Sequence, residues 1–149
     1  RGPKVRLGAF PNYCMPMEQF MQLSLMQAHE DVLEKLIMPA PEQCVHFISH
    51  EWLGFTHPDP DGTQLRRIQD IFSTFADFRA EMLFKPSEWE PFLQGVSANM
   101  SKAAQEVEAK VIQRDRRTTE DLAHHVQAGC VWLDYHSIPQ RAHGEAFLQ

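Results

Sequence analysis

The sequence predicts an α/β fold built on a parallel sheet, and two features carry this prediction. Two short apolar segments, residues 44–48 and 130–134, have the length and composition of strands, and the second is apolar enough to be covered on both faces. A long stretch with helical patterning separates them, and parallel strands need such a crossover connection. We therefore expect the two strands to be parallel neighbours in one sheet.

Residues 1–41 are expected to form an N-terminal arm and a helix ahead of this sheet. Glycines and prolines in residues 1–15 favour an extended arm. From Met17 to Ile37 the apolar residues of one predicted helix face recur at roughly helical spacing: Phe20, Met21, Leu25, Val32, Leu33 and Leu36. Pro39 and Pro41 end this pattern. The methionines of this segment favour core packing over an adaptable binding groove. The remaining residues, 42–149, are expected to form the α/β domain.

A loop and an amphipathic helix follow the first strand. The loop, HPDPDG at residues 57–62, combines prolines with Asp-Gly turn chemistry. The helix carries apolar residues three or four positions apart on one face: Leu65, Ile68, Phe72 and Phe75. Strand, loop and helix together make the first half of a β-α unit.

A helical insert of about residues 78–129 then precedes the second strand. Its apolar residues at 3-4 spacing predict one buried stripe on a long helix: Leu93, Val96, Met100, Val107 and Val111. The chain ends at Gln149, soon after the second strand. Since two strands do not make a satisfactory covered sheet, we expect the domain to be truncated, with its remaining strands in a missing C-terminal part or on a partner chain.

Composition narrows the class of function. The formal net charge of −6 argues against a nucleic-acid surface, which needs a basic field. No apolar run approaches the roughly 18 residues of a membrane span. The basic N-terminus lacks the apolar core of a signal peptide, and three cysteines without close pairing favour buried free thiols in a reducing compartment. We therefore expect a cytoplasmic protein without a membrane span.

Polar side chains stand at the carboxyl end of both predicted strands. The first tip is residues 49–52, and the second tip is residues 134–137. Ligands of open parallel sheets bind beyond the carboxyl ends of the strands, so both tips should border one crevice. Its candidate ligand-binding residues are Ser49, His50, Glu51, Trp52, Asp134, Tyr135 and Ser137. The aromatic rings could stack a base, and the carboxylates could accept ribose hydroxyls.

Plainer interpretations of the same residues stay open. Trp52 is also explained as a packing or lid residue, and Ser49 and Asp134 as turn caps. The histidines and aspartates of residues 46–61 could imitate a metal cluster, but the alternation of strand side chains and the frequency of Asp-Pro turns favour no metal. Neighbouring Ser49 and His50 point to opposite faces of a strand, so they are not a nucleophile–base pair.

Two motifs resemble a known family. The first, VHFISHEW at residues 45–52, resembles the opening strand of Toll/interleukin-1-receptor-like (TIR-like) domains. The second, VWLDYHSIPQ at residues 131–140, resembles the second strand of those domains and a segment of heterokaryon-incompatibility domains, which are TIR-like themselves. With HPDPDG after the first strand, the pair is most similar to TIR-like proteins of protists and algae. Glu51 departs from the pattern, because the family usually has Arg there.

The resemblance implies a flavodoxin-like fold and two candidate functions. One is a signalling or self-assembly module whose partners are other TIR-like domains or further copies of the chain, with no cofactor required. The other is an NAD-cleaving enzyme, with NAD as its substrate. The catalytic glutamate of such enzymes follows the third strand, which this sequence does not reach, so the catalytic residues stay unknown. A structural α/β fragment without a site of its own is the third alternative.

Overall fold

The fold mixes helices with a small sheet. The structure, a computed structural model, describes residues 12–95, 101–112 and 117–140. Three strands are present in these ranges: β1 (Met15–Pro16), β2 (Val45–Ile48) and β3 (Cys130–Leu133). The α-helices are α1 (Met17–Met21), α2 (His29–Val32), α3 (Thr63–Ala76), α4 (Pro86–Gln94), α5 (Lys102–Ile112), α6 (Thr119–Ala128) and α7 (Asp134–Ser137). Two 3-10 turns cover Leu33–Lys35 and Ala80–Leu83.

The two predicted strands are parallel neighbours. The sheet has the order β1-β3-β2, and β2 pairs with β3 in parallel from Val45 opposite Cys130 to Ile48 opposite Leu133. This pairing confirms the sequence prediction. The apolar run of β3 fits its central position, since Cys130, Val131 and Leu133 are all buried.

Strand β2 lies at the edge of the described sheet and is only partly covered. Its side chains are half-buried apart from Phe47, which is 65% exposed. Phe47 packs against Trp132 of the neighbouring strand, with ring centroids 5.2 Å apart. The two rings are a cross-strand aromatic pair on one sheet face, which stabilises the β2–β3 pairing without burying Phe47.

The described residues at the end of the expected N-terminal arm join the sheet. Met15 and Pro16 pair antiparallel with Val131 and Cys130, so the sheet is mixed rather than purely parallel. Proline is tolerated on this edge strand because its missing N–H is not needed there. The described residues of 1–66 belong with those of 128–149 to one compact unit, so the N-terminal segment and the sheet share one core.

The single helix expected up to Ile37 is wrong. α1 ends at Met21, and an irregular segment separates it from α2. Leu23 and Met26 are buried from this irregular segment, whereas Leu25 and Leu33 of the predicted apolar face are exposed. The physical reason is that tertiary contacts override the helical spacing: the Met26 carbonyl accepts a hydrogen bond from a side chain 31 residues away instead of from its own helix.

A second compact unit consists of the described residues of 67–127 and is entirely helical. Its core is built from Ala80, Leu93 and Leu122. Aromatic side chains of α3 and α4 pack around these residues: Phe75, Trp89 and Phe92. The closest ring pair, Phe84 with Phe92, has centroids 4.3 Å apart.

The predicted long stripe of the insert is also wrong. α4 ends at Gln94, because Gly95 adopts a left-handed conformation with φ of 71° that terminates the helix. Leu93 is buried as expected, but Val107 of α5 is 63% exposed. Val96 and Met100 lie outside the described residues, as does the side chain of Val111.

The three cysteines are free thiols. Cys14 and Cys130 are fully buried near each other, and Cys44 is half-buried. Burial, followed by the neighbouring Cys130, raises the pKa of Cys14 to about 12. Burial also raises the pKa of Cys130. Both thiols therefore stay protonated near neutral pH and behave as small core residues.

Candidate functional site

The carboxyl ends of β2 and β3 bring the two tips together. Because Ile48 is paired with Leu133, the residues after each strand emerge at the same edge of the sheet. The second tip turns at once into the short helix α7, which begins at Asp134. The first tip continues as irregular chain. The structure therefore places residues of both tips in contact, as the following pairs show.

His50 and Asp134 form the closest contact between the tips. Nδ1 of His50 lies 3.3 Å from Oδ1 of Asp134. The His50 side chain is only 2% exposed, whereas that of Asp134 is 43% exposed. Neither ring nitrogen of His50 has a hydrogen-bond partner among the described residues, so the pair is close enough for electrostatic attraction but not aligned as a hydrogen bond.

An exposed carboxylate therefore stands beside a buried imidazole. Oδ1 of Asp134 also accepts a hydrogen bond from the backbone N–H of Tyr135 at 2.8 Å, which fixes the carboxylate at the start of α7. The arrangement can hold a cationic or hydroxyl-bearing group at the exposed side of Asp134.

Three aromatic rings line the same edge. Trp52 meets Tyr135 edge-on, with centroids 5.7 Å apart and planes at 82°. On its other side Tyr135 contacts His57 in a similar arrangement, at 5.3 Å and 75°. Edge-to-face contacts of this kind are the favoured geometry for aromatic pairs. Trp52 remains 47% exposed, so it offers a ring to a ligand or a partner.

His57 fixes the loop that follows the first tip. Its Nδ1 accepts a hydrogen bond from the Asp59 N–H at 3.0 Å, which requires the proton to be on Nε2. Nε2 then donates to the carbonyl of Met26 at 2.8 Å. This neutral tautomer ties the loop to the irregular segment after α1. Sequence analysis placed His57 in a turn and weighed it as a metal ligand without favouring that role, and nothing local to the sequence identifies Met26 as its partner.

Asp59 is a second structural residue that sequence analysis missed. It is fully buried, and its two carboxylate oxygens accept hydrogen bonds from Gln64 N–H at 3.1 Å and Leu65 N–H at 2.8 Å. These are free N–H groups of the first turn of α3, so Asp59 caps that helix. In the sequence, Asp59 stands four positions before Thr63, the first residue of α3. This is further upstream than a usual helix cap, so the sequence gives only a weak indication of the capping role.

The other predicted site residues have different surroundings. Ser49 and Glu51 are exposed at the surface, and the Glu51 carbonyl accepts a hydrogen bond from Gln64 Nε2 at 2.7 Å. Ser137 is buried, and its Oγ accepts a hydrogen bond from Leu133 N–H at 3.2 Å. The hydroxyl of Ser137 therefore holds the β3–α7 junction and is not exposed for the ligand-binding role predicted for it.

His136 belongs to the core rather than to the exposed site. Its Nε2 donates to the Val131 carbonyl at 3.2 Å, and its own carbonyl accepts a hydrogen bond from Nδ1 of His29 at 2.9 Å. Burial lowers the pKa of His136 to about 4. The ring is therefore neutral at physiological pH. Its hydrogen bond to the Val131 carbonyl links α7 to β3.

Comparison of this chain with protein-family models, with curated proteins and with solved structures gave no match. Among the described residues, no group of three or more His, Cys, Asp or Glu side chains is arranged to hold a metal ion. No helix in the same part of the chain is long and apolar enough to cross a membrane.

Proposed function

We propose that this chain is a cytoplasmic TIR-like module, with a flavodoxin-like arrangement, that acts in signalling or self-assembly through protein contacts. Its partners are further copies of the chain or other TIR-like domains. One observation carries the proposal. Four large apolar side chains are exposed within residues 47–55, which we call the contact segment: Phe47, Trp52, Leu53 and Phe55.

This exposure distinguishes the contact segment from ordinary surface. Single exposed apolar residues are normal, whereas several gathered in a short stretch mark interaction sites. Leu53 is 60% exposed, and Phe55 is fully exposed. Aromatic side chains are the commonest energetic anchors of protein interfaces. Residues 47–52 of the contact segment belong to the first of the two family-like motifs. This overlap supports a single functional surface at this edge of the sheet.

The anchoring of the segment supports the same function. Leu53 N–H donates to the Pro58 carbonyl at 2.8 Å and closes a short loop around the exposed residues. His57 holds the base of this loop through its bond to Met26. A surface that is already ordered loses less entropy on binding than a flexible one, so this loop is suited to contact a partner directly.

Light scattering coupled to size exclusion tests the proposal. The double variant Leu53→Ser/Phe55→Ser removes two exposed apolar side chains, and Met38→Ser removes another exposed apolar side chain outside the contact segment. We expect the wild-type mass to rise with loading concentration, the Met38→Ser mass to follow it, and the double variant to stay at the monomer mass. Concentration-independent monomer mass for all three proteins would refute the self-assembly form of the proposal.

A nucleotide site is the second candidate function. It is favoured by the partly exposed Asp134 carboxylate beside Trp52 and Tyr135, an acceptor next to an aromatic surface. NAD is the ligand to test. Glu51 of the first motif stands where the resembled family usually has Arg, so neither motif supplies the glutamate that the family uses for cleavage. Binding is followed through tryptophan fluorescence in a Trp89→Phe background, which removes the tryptophan of the helical unit and leaves Trp52 at the site and Trp132 on β3.

The NAD titration distinguishes the nucleotide-binding function from the protein-contact function. The nucleotide site predicts saturable quenching that Asp134→Ala weakens by about tenfold, the size expected when one hydrogen bond from the ligand to a charged acceptor is lost. No quenching, or quenching that Asp134→Ala leaves unchanged, would exclude NAD at this site. If NAD does not bind and the mass does not rise with concentration, the third alternative remains, a structural α/β fragment without a site of its own.

A further inference from the structure

We infer that the loop of one copy, carrying Leu53 and Phe55, inserts into a groove on a second copy of the chain. The groove has a volume of about 500 Å³ and is lined by Glu18, Gln19, Gln22, Leu23 and Lys35. Loop and groove belong to the same compact unit, on different parts of its chain. This inference rests on the proposed self-assembly function and names the two surfaces that meet.

The exposed side chains of the loop make it the inserted element. Phe55 is fully exposed and Leu53 is 60% exposed, so neither contributes to the core of its own chain. The bond from Leu53 N–H to the Pro58 carbonyl holds the loop closed at 2.8 Å. A rigid loop with an apolar tip is shaped to enter a concavity rather than to cover a flat surface.

Charge argues against two loops packing on each other. Residues 49–62 include the exposed Glu51 and Asp61 and contain no Lys or Arg. A two-fold symmetric contact brings the same patch of both copies together, so these carboxylates would face their own counterparts. The loop therefore needs a different surface as its receptor, preferably one that supplies a positive charge.

The groove supplies that charge and an unsatisfied polar atom. Lys35 is exposed at the groove and offers an ammonium group to the acidic side of the loop, with Glu18 on the same lining. Gln19 contributes an Oε1 atom that is buried and has no hydrogen-bond partner in the described part of the chain. A backbone N–H of an inserted loop would satisfy this oxygen, and Leu23 would contact the apolar ring.

The groove is also large enough. Small-molecule pockets of roughly 300–1,000 Å³ hold ligands larger than one aromatic side chain, so Phe55 and Leu53 fit together. Because loop and groove are different surfaces, each copy can donate its loop to one neighbour and receive the loop of another. A contact in one direction builds a ring or an open chain of copies, whereas two copies that each insert a loop into the other form a closed dimer.

Two complementary variants test this contact by sedimentation velocity of the whole chain. The loop variant, Phe55→Asp, keeps the groove intact. The groove variant, Gln22→Glu/Lys35→Glu, keeps the loop intact and changes two exposed positions. Matched controls are Met38→Asp, at an exposed apolar residue, and Arg67→Glu, at an exposed basic residue. Circular dichroism checks that each variant is folded.

We expect the wild type and both controls to associate into dimers or larger species as concentration rises. Each test variant alone should associate at least about tenfold more weakly, the effect of losing one central interface anchor. An equimolar mixture of the two test variants retains one intact loop and one intact groove, so it should form a heterodimer and nothing larger.

The possible failures are distinguishable. If the wild type assembles but the mixture gives no heterodimer, or if either test variant assembles like the wild type, the loop-to-groove contact is wrong while self-assembly stands. If the wild type remains monomeric at every concentration, the self-assembly function is refuted, and the loop-to-groove contact is refuted with it.

Discussion

The Nε2 atom of His57 lies 2.8 Å from the carbonyl oxygen of Met26, and this hydrogen bond joins the loop after β2 to the irregular segment after α1. Nδ1 of the same ring accepts the Asp59 N–H. One neutral imidazole therefore satisfies two backbone groups that no regular element pairs. The contact segment lies directly before His57, so its orientation depends on this ring.

His57→Ala should destabilise the chain by about 2 kcal/mol, since it removes two hydrogen bonds worth about 1 kcal/mol each. Urea unfolding measures the loss. His124→Ala, at an exposed helical histidine, is the control and should change stability little. Amide exchange of Asp59 should also accelerate in His57→Ala. Equal stability of the two variants would show that the His57 ring does not hold the loop.

Asp59→Ala should cost about 1–2 kcal/mol, the usual effect of losing a helix cap. Its carboxylate accepts hydrogen bonds from the N–H groups of Gln64 and Leu65, and alanine leaves both without that acceptor. Asp61→Ala is the matched control, because Asp61 is exposed two residues further on. Thermal unfolding compares the two. A larger loss for Asp61→Ala would contradict the assignment of Asp59 as the cap.

The sheet was more predictable than these two residues. Residues 45–48 and 130–133 are apolar runs separated by helical sequence, which is a local signal for parallel strands. β1 was missed because two residues carry no periodicity. His57 and Asp59 act through partners that are fixed only when the chain is folded. Proximity of the tips followed from strand direction alone, whereas the burial of Ser137 depended on α7 starting immediately after β3.

Stability should fall as the pH is lowered from about 6.5 to about 4 because of His136. Burial lowers its pKa from the ordinary 6.5 to about 4 in the folded chain. Between these values the unfolded chain binds a proton that the folded chain does not, so protonation favours unfolding. The full difference corresponds to roughly 3 kcal/mol.

Urea unfolding at a series of pH values measures this dependence. His136→Gln keeps a side-chain donor for the Val131 carbonyl but does not titrate, so its stability should decline less over the same range. The carboxylate of Asp134 and the imidazoles of His29 and His50 also face this ring and are unchanged in the variant. Parallel pH profiles for both proteins would exclude His136 as the source.

Phe78→Gly should stabilise the helical unit by about 0.5–1 kcal/mol. Phe78 has a φ of 61°, a left-handed conformation that glycine adopts without strain. The bonds from Phe78 N–H to Phe75 O and from Arg79 N–H to Thr74 O, at 3.2 and 3.0 Å, form the paired pattern that ends α3 there. Phe78→Ala removes the ring but keeps the strained Cβ, so it should not stabilise. Equal thermal midpoints for the two variants would exclude backbone strain at this residue.

Side-chain oxidation footprinting tests the central claim, that the contact segment is buried when copies associate. Trp52 and Phe55 are oxidised by short radical pulses at low and at high protein concentration, with the exposed Met82 of the helical unit as the internal reference. We predict that oxidation of Phe55 and Trp52 falls several-fold at high concentration while that of Met82 is constant. Equal oxidation of Phe55 at both concentrations, in samples that have associated, would contradict the account.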